Sequence, residues 1–140
     1  MKKNIAILID EEIEHPEDYL FCSLEEMSNL QDDQENIYIG DLIDYIPLSE
    51  IESTIKVIAS KLSDTGQLHI KGPDILQLAW FCGKLNLDLK KFRYILYGTG
   101  RKGCYNLDEV IEMTVTSTGL VVDSASYTNG YEYSLTLKKI

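Results

Sequence analysis

No stretch of this sequence approaches the roughly 18 uninterrupted apolar residues of a membrane-spanning helix. The apolar run near the start, Ile5 to Ile9, is also shorter than the about 7–15 residues at the centre of a secretory leader. These shortages predict a cytoplasmic protein with no membrane contact. Cysteine is scarce too. Cys22, Cys82 and Cys104 are far apart and form no CxxC pair, and His15 and His69 do not stand at ligand spacing. Reduced thiols and no dedicated metal site are the expectation. Positive charge is the remaining deficit, with 13 Lys and Arg against 23 Asp and Glu for a net charge of −10. An acidic surface repels polyanions, so no nucleic-acid partner is expected.

The charge is also uneven. Residues 1–52 hold 15 acids and 2 bases, whereas residues 53–140 hold 8 acids and 11 bases. Lys84, Lys90, Lys91, Arg93, Arg101 and Lys102 gather around a lone Asp88. An acidic end and a basic segment follow, either as solvated faces or as a self-complementary or partner-docking surface.

What is present suits one globular α/β domain over residues 1–140. Its hydrophobic fraction of 44% and charged fraction of 26% are ordinary for a folded chain. Ile5–Ile9 reads as a strand buried on both faces, followed by strands near 19–23 and 36–39. The spacing of Leu48, Ile51, Ile55, Ile58, Ala59 and Leu62 predicts a helix over 49–62, opened by a capping box of Ser49 and Glu52. Thr65-Gly66 turns the chain into a strand over 67–72. Asp74, Asp88 and Asn106 are predicted caps of three further helices, the second ending at Gly98 and the third at Gly119. Two strands, 120–128 and 131–139, are joined by Asn129-Gly130, a strong hairpin signal because both turn residues need positive φ. The order predicts a mostly parallel sheet closed by a C-terminal antiparallel hairpin.

Several of these segments together carry a resemblance. Ile37-Tyr38-Ile39-Gly40-Asp41-Leu42-Ile43-Asp44-Tyr45-Ile46-Pro47 resembles the fourth-strand motif of class I S-adenosylmethionine (SAM)-dependent methyltransferases. Ser63-Asp64-Thr65-Gly66-Gln67-Leu68-His69-Ile70, ending in Gly72-Pro73-Asp74, is similar to that family's turn and fifth strand. Gly119-Leu120-Val121-Val122 through Asn129-Gly130-Tyr131 resembles its sixth and seventh strands. Short, phage-encoded members are the nearest likeness. The resemblance implies a Rossmann-like sheet and, for a conventional member, a SAM pocket.

The departures from that pattern bear on function. The family's glycine-rich loop after strand one corresponds to Ile9-Asp10-Glu11-Glu12-Ile13-Glu14, which has no glycine. Carboxylates there add bulk and repel the methionine carboxylate of SAM. The acid expected at the end of strand two, which in the family grips the ribose hydroxyls, falls near Ser23, with Glu25 two positions late. The chain is accordingly expected to need no cofactor and to act as a non-catalytic module binding other protein chains, itself or a partner, in host cytoplasm or virion if phage-encoded. The alternative is an active methyltransferase with an atypical pocket, in which Asp10, Ser23, Gly40 and Asp41 would hold SAM.

Three other signals stand beside these. Gly98-Thr99-Gly100-Arg101-Lys102-Gly103 is a literal GxGxxG, and a nucleotide-binding module built on Gly98–Gly103 is the third reading. Asp88 as cap and Gly98 as terminator instead make 89–97 a helix, which leaves the glycines in a basic loop. Asp41 and Asp44 are a candidate carboxylate pair for acid–base work or a divalent ion, although Asp44 and Tyr45 fit better in the turn into the next helix. His69, between Leu68 and Ile70 in a strand, is expected to be a hydrogen-bonded core or edge residue.

Overall fold

The structure, a computed structural model, describes residues 4–84, 88–128 and 130–140. Among these residues six strands form one sheet in the order β2-β1-β3-β4-β6-β5. They are β1 (Asn4–Leu8), β2 (Leu20–Ser23), β3 (Gln34–Gly40), β4 (Leu62–Pro73), β5 (Val121–Thr128) and β6 (Glu132–Lys138). β1 to β4 run parallel, and β6 is antiparallel to both β4 and β5. This is the expected α/β sheet with its C-terminal hairpin. The hairpin turn includes Gly130 at φ +82°, while Asn129 lies outside the described residues. β4 begins earlier than expected, because Ser63–Thr65 continue the strand instead of only turning into it.

Among the described residues four α-helices accompany the sheet: α1 (Leu48–Ser60), α2 (Ile75–Gly83), α3 (Leu89–Tyr97) and α4 (Leu107–Thr118). α1 buries Ile51, Ile55, Ile58 and Ala59, as the 3.6-residue period requires. Leu48 departs from that stripe and is 70% exposed. The capping box expected at Ser49 is not formed. The helix starts one residue earlier, so Ser49 lies inside it, and Pro47 stands at the cap position with no side-chain bond. The other caps are as expected. Asp74 accepts from the N–H groups of Leu76 and Gln77, and Asp88 from that of Lys91. Asn106 and Glu109 form a reciprocal capping box, and Gly119 ends α4 in the left-handed region at φ +74°.

α1 and α4 pack on one face of the sheet. Ile5, Ile7, Ile37, Ile39, Leu68, Ile70, Leu135 and Leu137 point into that core. The other face is built differently. Parallel neighbours need a long crossover, usually a helix. Residues 9–19, between β1 and β2, instead make two successive turns, Ile13 N–H to Asp10 C=O and Tyr19 N–H to Pro16 C=O. Tyr19 meets the Tyr38 ring edge-on at 6.3 Å, and Ala6 and Leu8 are fully buried. Beyond that loop the second face is polar. The Asn36 amide N–H donates to Asn4, and its Oδ1 accepts from His69 Nε2, while the other ring nitrogen of His69 meets Thr136 at 3.2 Å. His69 is therefore the hydrogen-bonded strand residue expected. Burial pushes its pKa down, with Asp123 opposing.

Candidate functional site

In open parallel sheets, ligands bind beyond the carboxyl ends of the strands, where the strand order reverses. Here that point lies between β1 and β3. The loops leaving it are 9–19, after β1, and the segment after β3. A cleft of about 500 Å³ opens there, lined among others by Glu14, His15, Tyr38, Gly40, Asp41 and Arg101. Lys71 and Glu132, paired at 3.2 Å, and Tyr131 also contribute to its wall.

Asp41 follows Gly40 at the end of β3. Gly72 of β4 lies so close that a Cβ there would stand 3.1 Å from that of Asp41, tighter than most side chains tolerate. The next residues, Leu42–Tyr45, wind into a short 3-10 helix, so Asp44 and Tyr45 belong to the turn as expected. The two carboxylates are nevertheless brought together, by a residue 57 positions after Asp44. Arg101 bonds Asp44 at 2.5 Å and Asp41 at 2.8 Å, donates from Nε to the Ile95 carbonyl at 2.7 Å, and lies over the Tyr45 ring at 5.2 Å. The N–H groups of Lys102 and Gly103 both donate to the Asp44 carbonyl, and Tyr45 Oη donates to Thr99. The Gly98–Gly103 loop is thus clamped onto the 41–45 turn at every level, main chain and side chain.

Asp44 is 1% exposed. Burial pushes its carboxyl up to about 7, with Asp41 adding to the shift and Arg101 opposing it. On the other side of the pair, the two aspartates hold the Arg101 guanidinium above its ordinary value against the effect of burial, so the arginine stays charged throughout. Burial raises the neighbouring Cys104 thiol to about 12, with Asp44 adding to it. Burial likewise raises Tyr133 and Tyr38 above the usual phenol range, with Asp44 adding to it at Tyr133 and Asp41 at Tyr38. The chemistry available to this cluster is a carboxyl titrating near neutrality behind a fixed cation, not a pair of free carboxylates.

Of the four residues considered for SAM, Gly40 and Asp41 line the cleft. Asp10 is exposed and accepts the Glu12 N–H in a local turn, and Ser23 ends β2 opposite Leu8, away from the cleft lining. The GxGxxG segment is preceded by helix α3, not by the strand a dinucleotide fingerprint requires, and α4 starts only at Leu107. Among the described residues, no three His, Cys, Asp or Glu side chains gather into a metal-ligating group, and no helix is long and apolar enough to cross a membrane. Arg101 was legible in the sequence only as one base among several. Its two partners are remote in the chain, so no local pattern could mark it.

No protein-family model matches the sequence, and no curated protein matches it. Solved structures do share the fold. PH0226 protein from Pyrococcus horikoshii OT3 superposes with a TM-score of 0.65 at 11% identity, over 98% of this chain and 72% of that one. Magnesium protoporphyrin IX methyltransferase (ChlM) from Synechocystis PCC 6803, solved with bound SAH, gives 0.57 at 13% identity, over 93% of this chain and 55% of that one. An O-methyltransferase family 2 protein from Planctomyces limnophilus DSM 3776, in complex with apigenin, gives 0.61 at 14% identity, over 87% and 36%. The chain spans about half of the one methyltransferase and about a third of the other. The fold is therefore methyltransferase-like and Rossmann-like, a mostly parallel sheet with an antiparallel final strand.

Proposed function

We propose that this chain is a methyltransferase-fold domain that works by binding other protein chains and not by transferring a methyl group. The observation that carries the reading is the 9–19 segment at the switch point. A nucleoside with an amino-acid tail needs backbone N–H donors at close range, which a glycine turn and a helix N-terminus supply. This segment has neither. It presents Asp10, Glu11, Glu12 and Glu14 around turns that spend the N–H groups of Glu12, Ile13 and Tyr19 locally. In addition, Asp41, one of the acids lining the crevice, already pairs with Arg101. The residues present do not fit SAM.

Support for a binding role comes from what the surface leaves exposed. α3 buries none of its residues, and Leu89, Tyr94 and Tyr97 on it are 54%, 61% and 75% exposed. Leu76 and Trp80 on α2 are 61% and 54% exposed, with Lys84 over the Trp80 ring at 5.9 Å. Large apolar side chains held in water beside basic ones are a common mark of protein interfaces.

The second reading, a SAM-dependent methyltransferase with an atypical pocket, is favoured by Gly40 and Asp41 opening on the cleft at the end of β3. The thermal midpoint with and without about 1 mM SAM or S-adenosylhomocysteine separates the two. A micromolar site would add about 4 kcal/mol through linkage and raise the midpoint clearly. No shift is expected, and a reproducible rise with both ligands would transfer the assignment to the second reading.

A further inference from the structure

We propose that strand β5 pairs antiparallel with β5 of a second copy of this chain across a twofold axis, joining two sheets into one. The inference rests on the reading of the domain as an interaction module and names one partner for it.

Among the described residues β5 is the last strand of the sheet and is hydrogen-bonded on one side only, to β6. Seven of its eight residues are exposed and the eighth is half-buried. Such an edge presents alternate N–H and C=O groups to water, a template that only another extended strand satisfies in full. Proteins usually guard long edges with lysine, proline, inward charge or brevity. β5, with sequence VVDSASYT, has no lysine and no proline. Its single charge, Asp123, is already engaged by Lys138 at 3.2 Å and by the Gln67 amide at 3.1 Å. Two copies can therefore meet there without opposing bare like charges. The opposite edge differs. β2 is four residues long and is flanked by Glu17 and Asp18 on one side and Glu25 and Glu26 on the other.

The side chains point the same way. Val122, Ala125 and Tyr127 are in register with Leu137, Leu135 and Tyr133 and share their face of the sheet. The three β6 residues are at most 1% exposed, whereas Val122 and Tyr127 are 40% and 46% exposed. The apolar face thus continues one strand past the cover that the helices provide. A bulge between Val122 and Ser124 limits the regular ladder to Ser124–Thr128. That segment is centred on Ser126. A twofold axis through Ser126 places Tyr127 opposite Ala125 of the second copy, a large residue against a small one, and Ser124 opposite Thr128. This self-complementarity favours a second copy over an unrelated strand. Because the same edge is used by both chains, the contact closes at two copies and does not propagate. A ladder of this length buries less than a standard interface, so the association is weak.

Sedimentation of the full chain from about 5 to 300 µM, with amide exchange read over 121–128, tests this. The expected mass rises towards twice the monomer with concentration, and the 124–128 amides gain protection over the same range. Ala125→Lys, a guard at an exposed position, should stay monomeric at every concentration with an unchanged circular dichroism spectrum. Ser126→Lys serves if the first variant fails to fold. A wild-type chain that stays monomeric to 300 µM overturns the proposal. So does a dimer that Ala125→Lys leaves intact, or one without added protection in β5. Protection gained only on adding an extended peptide of another sequence would overturn it in favour of a foreign strand. A midpoint rise with SAM alongside an intact β5 dimer would remove the non-catalytic reading and leave this one standing.

Discussion

Replacing Arg101 with methionine removes the cation between Asp41 and Asp44 while keeping a side chain of similar length, and its cost should depend on pH. Asp44 has a folded value near 7 against an ordinary 3.8. A carboxyl raised in this way binds its proton more tightly folded than unfolded. Its contribution to stability is complete below the unfolded value and is lost as pH rises from about 4 through about 7. At pH 8 the wild-type carboxylate is charged and paired. Removing the guanidinium then strands a carboxylate whose side chain is 2% exposed beside one that is 21% exposed. Breaking a buried pair costs about 3–5 kcal/mol, and the partial exposure of Asp41 argues for about 3. At pH 5 Asp44 is protonated in either protein. The loss is then the pair with the partly exposed Asp41, the bond to the Ile95 carbonyl and the packing on Tyr45, together about 1–2 kcal/mol. For a chain of this size each kcal/mol moves the midpoint by about 3–4 °C. Thermal melts followed by circular dichroism should show a drop of about 10 °C at pH 8 and roughly half that at pH 5. Equal drops at the two pH values would refute the argument, because they would mean that Asp44 carries the same charge at both.

Two other residues give sharp expectations. Asp74 is 1% exposed and accepts from the N–H groups of Leu76, Gln77 and Leu107 and from the Tyr127 hydroxyl. Asp74→Ala should therefore cost about 3 kcal/mol in denaturant titration, more than an ordinary cap, and a loss below 1 kcal/mol would contradict the shared role. Cys104, raised to about 12 chiefly by burial, stays a thiol at pH 8. It should resist iodoacetamide in the native protein and react once the chain is unfolded, as peptide mass mapping would show. Rapid native labelling would mean that the clamp over it opens.

The sequence by itself determined the local elements. Asp74, Asp88 and Asn106 mark helix starts, because a short oxygen-bearing side chain before an apolar period captures orphan N–H groups wherever it occurs. The isoleucine spacing of α1 and the Gly130 turn are equally local, as is the absence of glycine after β1. Ser49 misled because a capping-box pattern of residues three apart arises inside helices as readily as at their ends, and only the path of the chain at Pro47 decides between them. The tertiary structure decided what nothing local records. The crossover between β1 and β2 is loop, which leaves one sheet face polar. The basic glycine loop became a clamp because folding brought Arg101 to two carboxylates about sixty residues away. The protonation of Asp44 follows from the same cause. A carboxyl's pKa is set by the water it loses and the charges it meets, and both are properties of the packed chain.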